Sequence, residues 1–214
     1  MNTNWDSIVA EIKGQAQAMH DAREAGLTKC RLLIQTSAKC IRHVHRHQFE
    51  EASKLLSQAK AIGKEARDAL KPFGALYYAG YLHDAEKEMV EAAAVLAIVH
   101  NEPYPSAADL EVGIMAYLNG MGEAASEVRR YCLDEMRHGD LAKAEQILEH
   151  METIYDDLIT FDFADSMTGG LRRTCDALRA VIERTRSDLT QTVSQQELVR
   201  ELRAAREAVR PSAG

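Results

Sequence analysis

Helix-breaking residues are scarce in this chain, and this scarcity limits its possible folds more than any other feature. Prolines occupy four of the 214 positions: Pro72, Pro103, Pro105 and Pro211. Because proline ends or kinks a helix, the long intervals between these positions leave room for long helices. No interval shows the period-two alternation of apolar residues and the β-rich composition that a strand requires. The sequence therefore predicts an all-α fold.

Cap and breaker positions divide the chain into seven predicted helices with short connections, which favours antiparallel packing of neighbours. The expected spans are 4–26, 28–47, 49–70, 73–100, 106–138, 140–161 and a last helix that opens after a turn at 166–170 and reaches toward residue 210. Ser194 is a candidate bend in the last helix, since serine caps helices well. We expect a single helical domain over 1–214, with its core at about 27–192 and a C-terminal helical arm at about 194–210.

Several sequence features argue against secretion and membrane insertion. The four cysteines match neither a zinc-binding spacing nor a CxxC pair, which is typical of buried thiols in a reducing cytoplasm. No apolar stretch reaches the roughly 18 residues needed to span a bilayer. The N-terminus lacks the basic region and apolar core of a secretory signal. We therefore expect a cytoplasmic protein with no membrane partner.

One basic stretch, residues 25–49, stands out in a chain whose net charge is −7. It contains five Lys or Arg and three His but no acid, and its polar side chains fall on one arc of about 120° on a helix. Like charges one turn apart destabilise a helix, and nucleic-acid phosphates would relieve that repulsion. A merely solvated face remains the alternative. The predicted nucleic-acid-binding residues are Arg31, Lys39, Arg42, His45 and Arg46.

Two pairs of acidic residues lie on separate predicted helices. Glu88 and Glu91 precede an alanine-rich run, and Glu123 and Glu127 are surrounded by small residues that allow another helix to approach closely. We therefore expect two helices to bring four carboxylates into one groove, where they need cations. Oxygen ligands select hard ions such as Mg²⁺ or Mn²⁺, which can activate water against a phosphodiester. The spacing alone also fits two unrelated acidic stripes on the surface.

Four sequence blocks resemble the translin family and, within it, the catalytic branch represented by translin-associated factor X. In chain order, within residues 27–192, the blocks are CRLLIQTSAKCIRHVHRH, LKPFGALYYAGYLHDAEKEMVEA, DLEVGIMAYLNGMGEAASEVRRYC and TGGLRRTCDALRAVIERTRSDL. The resemblance implies a seven-helix, all-α fold and a closed, hollow homo-oligomer, commonly of eight subunits. It also implies binding of single-stranded RNA and of single-stranded DNA.

The resemblance also assigns chemistry to the acidic residues. The factor X branch is an Mg²⁺-dependent endoribonuclease whose carboxylates lie in an ExxEA segment and in a later block shaped like GxADLxGE. These positions fall on Glu88 and Glu91, and on Glu123 and Glu127. The implied catalytic and metal-binding residues are these four glutamates, with Mg²⁺ or Mn²⁺ as cofactor. Glu123 departs from the family pattern, which has Asp there, and its extra methylene moves the ligand.

Two other functions fit parts of the pattern. An all-α, Mg²⁺-dependent NTP pyrophosphatase of the MazG kind also sets ExxE against a second acidic helix. Its second motif is ExxD after a shorter gap, whereas residues 92–122 separate the acidic pairs here and the second pair is ExxxE. The other alternative is a non-catalytic oligomer that binds single-stranded nucleic acid and whose carboxylates are structural.

Overall fold

Eight helical segments follow one another in the computed structural model, which describes residues 3–208. They are α1 (Thr3–Val44), α2 (Phe49–Leu70), α3 (Gly74–Tyr77), α4 (Tyr81–His100), α5 (Ile114–His138), α6 (Leu141–Leu158), α7 (Asp165–Thr168) and α8 (Leu171–Ala208). No residue in this described range lies in a β-strand, so the predicted all-α class is confirmed. Two of the eight segments, α3 and α7, are single turns.

The predicted break at Gly26 is wrong, because α1 runs through this position without interruption. Gly26 is buried, and a Cβ atom there would clash with the side chain of Leu70 on α2. The glycine therefore permits close packing of two helices instead of ending one. The predicted helices 4–26 and 28–47 are one helix of 42 residues.

Other helix boundaries differ from the predictions for local reasons. The predicted helix 73–100 is divided into α3 and α4 before Gly80, whose φ of +96° lies in the left-handed region. The segment after Ser106 forms turns, and Glu111 with φ +54° ends them before α5 begins. Asp140 caps α6 as predicted, its Oδ1 accepting from the Lys143 N–H at 3.0 Å.

The last helix, α8, continues through Ser194 without the predicted bend. Residues 194–208 extend the helix, and their side chains are exposed. The expected end of the C-terminal arm at 209–210 lies outside the described residues.

Helix α4 occupies the centre of the bundle. It packs against α1, α2 and α5, and α5 in turn packs against α6 and α8. The alanine run 92–94 of α4 is buried, and these small side chains allow neighbouring helices to come close. Helices α4 and α5, which carry the two acidic pairs, are therefore adjacent over much of their length.

The cysteines and the hydropathy of the helices agree with the sequence analysis. All four cysteines are buried free thiols, and burial raises the pKa of Cys40 to about 12 and that of Cys132 to about 12. These thiols are therefore protonated and unreactive at neutral pH. Within the range 3–208, no helix has both the length and the apolar character needed to cross a bilayer.

Candidate functional site

A glycine sets the distance between the two acidic helices. A Cβ atom added to Gly120 of α5 would lie 2.6 Å from Val90 Cβ and 2.7 Å from the backbone oxygen of Lys87. Only glycine therefore fits at this crossing without moving α4. The crossing lies one residue before Glu91 on α4 and three residues before Glu123 on α5, so it brings these carboxylates face to face.

Three of the four predicted carboxylates form one cluster, which we call the acidic cluster: Glu88, Glu91 and Glu123. One carboxylate oxygen of each lies within 4.8 Å of the others. All three side chains are half-buried, and so they are only partly screened by water. Two oxygens on opposite sides of one Mg²⁺ are about 4 Å apart, so small side-chain movements would let these oxygens share an ion. Asp84, earlier on the same helix, is exposed and outside the cluster.

The fourth predicted carboxylate, Glu127, lies beside the acidic cluster. It lines the same open cleft of about 540 Å³ as Glu91 and Glu123. Its Oε1 is 2.7 Å from Nε2 of His45, which lies 82 positions earlier in the sequence. Three of the four acids therefore line one cleft, and the remaining acid, Glu88, lies beside them in the acidic cluster. Glu127 is held by a hydrogen bond from His45, just after the end of α1.

The electrostatics of the cleft favour binding of a proton or a cation. Burial raises the pKa of Glu91 to about 8, and the acidic side chains around it add to the effect. Burial, followed by the charge of Glu123, also raises the pKa of Glu88. Lys87 offsets part of this charge, since its Nζ donates to Glu123 Oε1 at 2.8 Å. An all-oxygen donor set of this kind suits a hard divalent ion.

The predicted cationic residues on α1 and just after it are exposed, with one exception. None of the four exposed cations lies within 4.0 Å of a carboxylate in the described part of the chain. We call these residues the cationic stripe: Arg31, Lys39, Arg42 and Arg46. Their charges are therefore available to a ligand, in a protein whose net charge is negative.

The placement of His45 on this exposed face is wrong. Its side chain is 2% exposed and contacts Glu127 inside the protein. The His45 N–H still donates to the Ile41 carbonyl at 3.0 Å, so His45 lies one helical turn after buried Ile41, at the edge of the predicted arc beside the buried face.

Two further cations near the carboxylates were not found from the sequence: Arg173 of the cleft, and Lys87, which contacts Glu123. Arg173, at the start of α8, lines the cleft together with Thr174. Arginines recur along the last helix, so no spacing signal singled out this one. Lys87 did carry a signal, because it is a basic residue within an acidic stripe and one turn before Glu91.

Comparisons with known proteins give consistent similarities. No protein-family model matches the chain. Two solved structures of AfC3PO each have a TM-score of 0.82, and each match covers 87% of this chain and 97% of that chain. The complex of AfC3PO with duplex RNA is 34% identical to this chain, and the other AfC3PO structure is 33% identical. Apo-NeC3PO has a TM-score of 0.78 at 22% identity, with 90% of this chain and 98% of that chain covered, which bears on the fold alone. An uncharacterized protein of Methanocaldococcus jannaschii is 27% identical over 172 residues, or 78% of this chain and 74% of that protein.

Proposed function

This chain belongs to the translin family, and we propose that it is an Mg²⁺- or Mn²⁺-dependent endoribonuclease that binds and cleaves single-stranded RNA as a homo-oligomer. The observation that carries the proposal is the acidic cluster, in which three half-buried carboxylates from two helices meet within 4.8 Å. Acids spread over a solvated surface have no reason to converge in this way, since their charges repel. The factor X branch of the family uses carboxylates at the matching positions.

The residues present fit a hard divalent ion. Glu88, Glu91 and Glu123 would hold it, and Glu127 completes the set from the rim of the cleft. When bound, the ion stabilises negative charge on a phosphate and lowers the pKa of a water molecule. The elevated pKa of Glu91, about 8, shows how strongly this position favours neutralisation of its charge. The guanidinium of Arg173 lines the same cleft and is suited to bind a phosphate of the substrate.

The cationic stripe favours RNA as the ligand. Its four exposed cations have no carboxylate partner in the described residues, and phosphates would bind them with little dependence on sequence. The solved complex of AfC3PO with duplex RNA concerns a relative at 34% identity. We propose RNA as the ligand here too, with single strands as the cleaved form and single-stranded DNA as a further ligand.

Apolar side chains exposed on the two protruding helix ends support a homo-oligomer. Trp5, Ile8 and Ile12 lie on the first turns of α1, and Leu198 and Leu202 lie near the end of α8. Such surfaces are normally covered by another subunit. We propose a closed assembly in which copies of this chain cover them, commonly eight as in the family.

One contact favours the alternative of a non-catalytic RNA-binding oligomer. The ammonium group of Lys87 lies 2.8 Å from Glu123, so part of the acidic cluster is neutralised without a metal. In that case the carboxylates would be structural. The similarity to AfC3PO supports either translin-family function over the NTP pyrophosphatase.

A cleavage assay on labelled RNA tests the proposal. Purified protein is incubated with single-stranded and with duplex RNA in Mn²⁺, in Mg²⁺ and in chelator. We expect endonucleolytic fragments of the single strand with either ion and none in chelator. RNA binding without cleavage under all three conditions would favour the non-catalytic oligomer.

A further inference from the structure

We propose that His45 is a positioning residue, which fixes the carboxylate of Glu127 for metal binding at the rim of the cleft. The inference rests on the proposed function, and it concerns a residue that lies outside the four acids. Its basis is the hydrogen bond of 2.7 Å between His45 Nε2 and Glu127 Oε1. Because the carboxylate can only accept, the Nε2–H of the imidazole donates.

The imidazole is rigid, whereas the carboxylate that it holds is not otherwise fixed. The His45 side chain is 2% exposed and that of Glu127 is 37% exposed. A glutamate at this exposure would sample several rotamers, and the hydrogen bond to a buried ring restricts them. The bond occupies Oε1 and leaves Oε2 available to the cleft. Partners of this kind orient metal ligands and affect both metal affinity and activity.

The turn that carries His45 is attached to α5 at two points. His45 contacts Glu127, and His47 Nδ1 lies 3.1 Å from the hydroxyl of Tyr131, one helical turn further along α5. Arg46, between the two histidines, is exposed and belongs to the cationic stripe. The turn therefore joins the proposed RNA surface to the proposed metal site through two adjacent side chains.

The proposed role of His45 depends on its hydrogen bond to Glu127, and not on the burial of its ring alone. Nδ1 of His45 is buried and has no hydrogen-bond partner in the described structure, and the same is true of Nδ1 of the neighbouring His43. His45 differs from His43 in the hydrogen bond at Nε2, which offsets part of the cost of burying a polar ring. The donor at Nε2 is the feature that an apolar side chain cannot supply.

The test compares three variants in chelator-stripped protein. His45→Leu removes the donor, His45→Gln keeps an amide N–H near the position of Nε2, and His43→Leu is the matched control on the same segment. Mn²⁺ affinity is measured by calorimetric titration, and melting temperatures in chelator establish that each variant is folded. The rate of RNA cleavage at saturating Mn²⁺ is measured as a second readout.

We expect His45→Leu to weaken Mn²⁺ binding by about tenfold, within the usual range for such partners, and to slow cleavage. His45→Gln should retain most of the affinity, and His43→Leu should match the wild type. Equal Mn²⁺ affinity in the wild type and in both His45 variants would overturn this inference and leave the proposed function intact. A wild-type protein that binds no Mn²⁺ would overturn both.

Discussion

Glu91 of α4 and Glu123 of α5 present carboxylate oxygens within 4.8 Å of each other, although residues 92–122 separate them in the sequence. The pair meets because Gly120 lets the two helices cross almost in backbone contact. At this distance both carboxylates cannot remain ionised without a compensating charge. Lys87 compensates part of this charge through Glu123, and we expect a proton or a metal ion to compensate the rest.

The metal-free protein should lose stability as the pH rises. Burial and acidic neighbours raise the pKa of Glu91 from 4.5 to about 8, so the folded state holds a proton that the unfolded state releases. The resulting stability is fully present below the lower value and is lost as the pH passes the higher one. In chelator, the melting temperature should decrease as the pH is raised from about 5 to about 9.

The variant Glu91→Gln should remove much of this pH dependence, since the neutral amide replaces the protonated acid. Added Mn²⁺ should raise the melting temperature of the wild type at the upper end of the range, because a ligand of the native state stabilises it. A wild-type melting temperature that stayed level, or rose, across the range would contradict the arrangement of the acids.

The helix crossing should not tolerate a side chain at Gly120. In Gly120→Ala the new Cβ would lie 2.6 Å from Val90 Cβ, which forces the acidic helices apart. We expect destabilisation of about 1–3 kcal/mol, as for other overpacked sites, together with weaker Mn²⁺ binding. Urea unfolding and calorimetry measure the two effects.

The matched control for this prediction is Gly14→Ala. Gly14 lies within α1, and a Cβ there would meet nothing within 4 Å. This change should stabilise the protein by up to about 1 kcal/mol, the usual helix preference of alanine over glycine. Equal effects at both glycines would mean that the crossing is not tightly packed.

The cationic stripe should account for RNA binding. The double variant Arg42→Glu, Arg46→Glu should weaken binding and reduce the salt dependence, by about 0.7 in the slope of log K against log salt for each lost contact with a single strand. Fluorescence anisotropy over a salt series measures both quantities. Lys64→Glu with Lys71→Glu, at an exposed position of α2 and at the residue that follows it, makes the same charge change and should have less effect. Unchanged affinity in the stripe variant would show that the stripe is only a solvated face.

The exposed apolar ends should form subunit contacts. Light scattering at micromolar concentration should give a multiple of the 23.8 kDa chain mass, and Leu198→Asp with Leu202→Asp should reduce it. The melting temperature of the dissociated variant establishes whether the subunit stays folded. A wild-type mass of one chain would overturn the proposed assembly.

The fold class and the pairing of the acidic helices were predictable from local patterns. Proline spacing and helix periodicity indicated the fold class, and small residues around Glu123 indicated a close helix neighbour. The role of Gly26 was not predictable, since a glycine ends a helix or admits a neighbour depending on what packs against it. His45 was misplaced because it lies at the edge of the predicted polar arc, one helical turn after buried Ile41, and only the packing against α5 shows on which side of that edge it falls. Arg173 was missed since only the path of the chain brings α8 to the cleft.

Single-turnover cleavage of labelled single-stranded RNA by the wild type and by Glu91→Ala, in the same Mn²⁺ buffer, tests the central claim most directly. Asp84→Ala, an exposed acid earlier on α4 and outside the acidic cluster, is the matched control. We predict that Glu91→Ala loses activity by orders of magnitude while RNA binding is retained or slightly tighter, because a negative charge near the phosphate is removed. Asp84→Ala should cleave at close to the wild-type rate. Equal cleavage rates for Glu91→Ala and the wild type would contradict the account and show that the carboxylates are structural.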